Sequence, residues 1–178
     1  MFAIVLAALD RSGPVLPILC AMAVHELAHV VMMLACGGQV RRLTLRFADL
    51  QIAASGLGYR QELLSALAGP LVNLICGAAF CMQRPSFAAY SLMLGIYNLL
   101  PVWPLDGGRM IRCALLARLP ITQAEHISEI VSFAACAVLL LIGVFLTFFR
   151  KSGLWPLGTA AYLTVRLLML ARRTDAVQ

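Results

Sequence analysis

The sequence predicts an all-α integral membrane protein, a polytopic bundle of five to six spanning helices. Three observations carry that expectation. The 178 residues are 62% hydrophobic and 12% charged, against roughly 45–50% and 25% in soluble proteins. Mean hydropathy is +0.90. The basic residues fall in short breaks between apolar runs rather than in one stripe, which is a membrane-flanking pattern and argues against a nucleic-acid partner. The length suits one domain covering residues 1–178.

The elements follow in chain order. Met1–Leu9 is apolar but too short to span alone; it reads as an interfacial piece or as the end of a helix whose start is missing. It lacks the basic leading region and cleavage site of a signal peptide. Five runs come close to the ~20 residues a spanning helix needs: Pro14–Cys36, Leu63–Met82, Phe87–Leu105, Ile127–Phe149 and Leu154–Leu170. Gly37-Gly38 closes the first run as a glycine helix cap. Between Gln39 and Arg60 apolar residues alternate in part with Arg41, Arg42, Arg46 and Asp49. This reads as a short re-entrant or β-hairpin-like segment, or else as an amphipathic loop on the membrane surface. A free strand edge there could pair with an extended substrate.

The six cysteines form no CxxC pair and read as small buried hydrophobes. His126, between Glu125 and Glu129, reads as part of a solvated helix start.

The basic residues also give an orientation. Arg41, Arg42, Arg46, Arg60, Arg109, Arg112, Arg118, Arg166, Arg172 and Arg173 fall on one side, and Arg11, Arg84, Arg150 and Lys151 on the other, accounting for all 14. The positive-inside rule places the larger group in the cytoplasm, with the Arg109–Arg118 loop and the carboxyl terminus.

Chemistry is concentrated in His25-Glu26-Leu27-Ala28-His29, inside the first spanning run. Histidines four apart on a helix share a face and can reach one metal ion, with Glu26 as a candidate base for an attacking water. Such residues are costly in hydrocarbon, so an intramembrane cluster is a functional site by default. Catalytic zinc usually takes three protein ligands. The third candidate is Asp106 in Asn98-Leu99-Leu100-Pro101-Val102-Trp103-Pro104-Leu105-Asp106-Gly107-Gly108. The prolines interrupt the helix and the glycines free the backbone after the acid. Alone, Asp-Gly reads as a surface turn; beside HELAH, the ligand reading is preferred. Asn73, in Ala68-Gly69-Pro70-Leu71-Val72-Asn73, could donate to a developing oxyanion or simply bond a neighbouring helix, the commoner use of such an amide. Gly69 permits close helix approach.

HELAH, AGPLVN and NLLPVWPLDGG in successive segments resemble the site-2 protease family of intramembrane zinc metalloproteases, peptidase family M50. The last motif and the segment layout are most similar to the bacterial sporulation factor IVFB branch. The resemblance implies zinc held by His25, His29 and Asp106, Glu26 as catalytic base and acid, and Asn73 as a second catalytic residue holding the scissile region. It implies a substrate groove shaped near Asn98 and Pro101. It further implies hydrolysis in or near the membrane segment of a tethered protein, such as a sporulation sigma-factor precursor, in the bacterial inner membrane with membrane regulatory partners. One departure is expected: the cytoplasmic CBS domain usual in that branch is missing after the last segment. The rival readings are an inactive membrane scaffold of the same fold and a metal transporter. The intact motif residues speak against the first, and the gathering of polar residues at one site against the second.

Overall fold

In a bilayer the hydrophobic effect does not drive helix against helix, so helices associate through close packing and buried hydrogen bonds. The computed structural model of the chain, which describes residues 15–46, 49–55, 57–149 and 154–175, is built on that logic. The buried side chains include His25, His29, Ser65, Asn73, Ser91, Asn98, Asp106, Ser128 and Ser132, while Leu16 and Leu141 are each 71% exposed. Polar groups inside and large apolar groups outside is the reverse of a water-soluble protein and suits a lipid exterior.

The described residues hold six helices and one hairpin. Helix α1 (Val15–Ala35) is followed by strands β1 (Gln39–Arg46) and β2 (Asp49–Ser55), then α2 (Tyr59–Ala79), α3 (Pro85–Asn98), α4 (Asp106–Leu116), α5 (Ile121–Phe148) and α6 (Trp155–Asp175). The run Met1–Leu9 lies outside the described residues. Helices α1, α2 and α5 are long and apolar enough to cross a membrane. The protein is an integral membrane protein.

Buried positions of α1 are Ile18, Ala21, His25, His29 and Met33, a single stripe at helical spacing. The helix ends as its glycines dictate. Gly37 has φ 81°, which glycine adopts without a steric penalty. The Gly37 and Gly38 amides donate to Leu34 O and Met33 O at 2.9 and 3.0 Å. The strands β1 and β2 pair antiparallel from Gln39↔Ser55 to Arg46↔Asp49, with an irregularity between Val40 and Arg42. The partly alternating segment therefore folds as a hairpin.

Helix α2 runs antiparallel to α1, since Ser65 meets His29 and the later Asn73 meets the earlier His25. Helix α3 turns back along α2. A Cβ at Gly95 would lie 3.0 Å from Pro70 O, and one at Gly77 would lie 3.2 Å from Ala88 O, so small residues set this close crossing.

Two expectations need correcting. The predicted span Phe87–Leu105 is not one helix: α3 stops at Asn98. Its 14 residues measure about 21 Å at helical rise, short of the roughly 30 Å of hydrocarbon. Pro101 and Pro104 lack amide donors, and the chain between them and Asp106 is turned instead, with Val102 N donating to Leu100 O and Leu105 N to Val102 O, each at 2.8 Å. Two apolar side chains of this turn are packed inside the protein. Val102 and Leu105 are buried with Cys136, Leu163 and Leu167 of α5 and α6, and Trp103 N donates to Ser132 Oγ of α5 at 3.1 Å. The second correction concerns the expected Arg109–Arg118 loop, most of which is helix α4. Gly107 and Gly108 open that helix rather than loosen it. A Cβ on Gly108 would meet the Val102 carbonyl carbon at 2.6 Å, and one on Gly107 would overlap Leu99 O. These glycines let α4 start directly beneath the turn.

All six cysteines are free thiols. Burial pushes the Cys113 thiol up to about 11. His126 is exposed at the start of α5, as expected. Its neighbour Glu125 accepts from Arg112 Nε at 3.0 and 3.1 Å, and the Arg112 guanidinium lies 5.6 Å from the Trp103 ring centroid. This network ties α4 to α5 and to the turn.

Candidate metal centre

Three elements converge on one point in the helical interior. Helix α1 supplies His25 and His29 one turn apart, their rings edge to face with centroids 4.7 Å apart. The buried turn and the first residue of α4 supply Asp106. His25 Nε2 lies 3.1 Å from Asp106 Oδ2, His29 Nε2 lies 3.2 Å from the same oxygen, and the two Nε2 atoms are 3.1 Å apart. All three residues are buried. They form the group suited to a metal among the described residues.

The fit can be tested on these distances. Zinc bonds to imidazole nitrogen and carboxylate oxygen are about 2.0–2.1 Å, and the edges of a tetrahedron with such bonds measure roughly 3.3 Å. The three separations are within about 0.2 Å of that edge. Two neutral nitrogens and one carboxylate oxygen are zinc donors, and three of them leave a fourth position open, as catalytic zinc requires. The zinc chemistry fits the residues present.

Each donor is held from behind. His29 Nδ1 donates to the Ser65 backbone carbonyl at 2.6 Å, which leaves Nε2 with its lone pair inward. Ser65 Oγ returns a bond to His29 O at 3.3 Å. Asn73 Nδ2 lies 3.2 Å from His25 Nδ1. Arg109 Nη1 lies 3.5 Å from Asp106 Oδ1, and its Nη2 is 3.8 Å from Glu62 Oε1. The arginine engages the carboxylate oxygen that faces away from the histidines and leaves Oδ2 for the trio. Asp106 also gains from its place in the first turn of α4, where amide dipoles favour an anion.

The other expected site residues fall at different distances from this point. Glu26 is half-buried on α1 beside His25. Asn73 is fully buried and sits on the Nδ1 side of His25, away from the Nε2 atoms. Asn98 is the last residue of α3 and donates to Leu94 O of its own helix at 3.0 Å. Pro101 is half-buried in the turn. Sequence reasoning missed Ser65 and Glu62 and gave Gly69 too small a part. A Cβ on Gly69 would fall onto His29 Nε2 and within 2.9 Å of His25 Cε1. Ser65, Gly69 and Asn73 recur every fourth residue along one face of α2, and that spacing was the available signal.

Fold and site together define a membrane-embedded helical protein with a buried group of three donors that could hold a metal ion. Comparison with known proteins then shows what the chain resembles. The model of peptidase family M50 matches residues 82–142, which include the turn and Asp106. Stage IV sporulation protein FB of Bacillus subtilis (strain 168) is 28% identical over 138 residues, 70% of this chain and 47% of that protein. A zinc metalloprotease of Methanocaldococcus jannaschii is 25% identical over 137 residues, 70% of this chain and 40% of that one. The chain thus spans about half the length, or less, of these relatives. Among solved structures, a site-2 protease from Methanocaldococcus jannaschii superposes with a TM-score of 0.68 at 18% identity, covering 93% of this chain and 83% of that one. The chain resembles peptidase family M50 over residues 82–142 and has the fold of a site-2 protease.

Proposed function

We propose that the chain is an intramembrane zinc metalloprotease that hydrolyses a peptide bond in or near the membrane segment of a tethered protein. The observation that carries this reading is the convergence of His25 Nε2, His29 Nε2 and Asp106 Oδ2 at 3.1–3.2 Å inside an apolar bundle. Those three atoms would hold the ion. Bound there, zinc supplies a Lewis acid that polarises a peptide carbonyl and makes water more acidic. Glu26 takes the proton from the attacking water and delivers it to the leaving amine. Ser65 and Arg109 keep His29 and Asp106 aligned throughout, so little reorganisation is needed at the moment of reaction. A substrate helix shields its own carbonyls, so it must unwind locally at the cut, and helix-breaking residues there would help.

The finer reading rests on the resemblance to the sporulation branch and on basic-residue placement. The substrate is a membrane-tethered precursor of a sporulation sigma factor, and membrane partners regulate access to it. The protein sits in the bacterial inner membrane with its carboxyl terminus in the cytoplasm. By that orientation α1 runs inward. His29 then lies nearer the cytoplasm than His25, and Leu27 is nine residues from Cys36, about 13 Å along the helix. The cut falls in the cytoplasmic half of the substrate's membrane segment. Co-expression with tethered candidate factors tests both levels. Wild type should release a soluble cytosolic fragment and His29→Ala should release none. Equal release by His29→Ala, or release to the outer face, would contradict the reading.

A further inference from the structure

We propose that Asn73 is a positioning residue that fixes the tautomer of His25 by turning its side-chain oxygen, Oδ1, to the ring's Nδ1–H. The proposal rests on the reading of His25, His29 and Asp106 as metal ligands and adds a role for a residue outside that trio.

A histidine that ligates through Nε2 must offer a lone pair there, so its proton has to sit on Nδ1, and a buried N–H needs an acceptor. His29 meets this requirement through the Ser65 carbonyl, 2.6 Å from its Nδ1. His25 carries the same requirement, with its Nε2 in the same cluster. The group facing its Nδ1, at 3.2 Å, is the Asn73 amide.

That amide is wholly buried. As placed, its Nδ2 faces the ring. In the same arrangement Nδ2 would donate to the Nδ1 lone pair. The ring proton would then sit on Nε2, pointing into the cluster where it would block ligation. Rotation by a half turn about Cβ–Cγ exchanges Oδ1 and Nδ2 within nearly the same volume. The oxygen then accepts from Nδ1–H and the Nε2 lone pair faces Asp106 and His29. One proton moves from Nε2 to Nδ1, and the charge on the ring is unchanged. Asn73 thus does for His25 what a backbone carbonyl does for His29. The histidine pair depends on one main-chain acceptor and one side-chain acceptor, and only the latter can be removed by substitution.

The test uses the purified full chain in detergent, with zinc itself as probe. Zinc affinity is measured by competition with a chromophoric chelator for wild type, Asn73→Leu and Asn73→Asp. Loss of an outer hydrogen-bond partner weakens metal binding roughly 10- to 100-fold, so Asn73→Leu is expected to fall in that range. Asn73→Asp keeps an acceptor of the same shape and is expected to stay near wild type. In ¹⁵N-histidine spectra of the zinc-loaded wild type, His25 should carry its proton on Nδ1. Zinc bound by Asn73→Leu as tightly as by wild type would overturn the proposal. So would an Asn73→Asp variant as weak as Asn73→Leu, or a His25 proton on Nε2 in the wild type. The two affinity results would leave the metal-ligand reading standing, whereas a proton on Nε2 would remove His25 Nε2 as a ligand as well. A wild-type chain that takes up no stoichiometric zinc would remove both.

Discussion

Gly69→Ala is expected to disable the metal centre although it adds a single methyl group. The new carbon would occupy the space of His29 Nε2 and approach His25 Cε1 to 2.9 Å. Neither ring can retreat easily, because His29 is tied to the Ser65 carbonyl and His25 lies against Asn73. Overpacking of this kind costs about 1–3 kcal/mol. Charged to the geometry of the donors, that is roughly a 10- to 100-fold loss of zinc affinity, with proteolysis lost in parallel. Gly158→Ala is the matched control, since a Cβ there meets nothing within 4 Å. Isothermal titration or chelator competition on both variants reads the difference. Unchanged zinc affinity in Gly69→Ala would show that α1 and α2 do not approach as closely as the structure has them.

Glu26→Gln should separate binding from chemistry. The amide has the shape of the acid but cannot accept and return a proton, and general acid–base catalysis contributes roughly 10²- to 10⁴-fold to rate. Glu26 is not among the three converging donors, so the variant should keep wild-type zinc content while cleavage of a tethered substrate falls by that factor. Wild-type cleavage by Glu26→Gln would remove Glu26 from the mechanism. Joint loss of zinc and cleavage would make it a ligand instead.

How much of this was legible in the sequence depends on which forces act locally. HELAH could be placed on a helix because histidine spacing and the glycine cap at Gly37 are short-range signals, and the helix indeed ends there. The choice of Asp106 as a partner came from the pairing of motifs, and it lies within 3.2 Å of both histidines. The break before Asp106 was legible from Pro101 and Pro104, but what the broken segment packs against was not. Val102 and Leu105 look like part of a lipid-facing span because hydropathy does not distinguish burial in protein from burial in lipid. Their true neighbours lie on α5 and α6, more than 25 residues further along the chain. The Ser65 contribution is a main-chain carbonyl, which leaves no mark on side-chain identity. Gly69 was legible as a close-approach residue, but what approaches it could be learned only from the packing of α1 against α2.

The central claim is that His25, His29 and Asp106 together hold one zinc ion inside the membrane, and metal content tests it most directly. Protein purified in detergent without added chelator, analysed by plasma mass spectrometry, should contain about one zinc per chain, the stoichiometry of a site with three protein ligands. The triple variant His25→Ala/His29→Ala/Asp106→Ala, purified in the same way, should contain almost none. Stoichiometric zinc persisting in the triple variant would contradict the account.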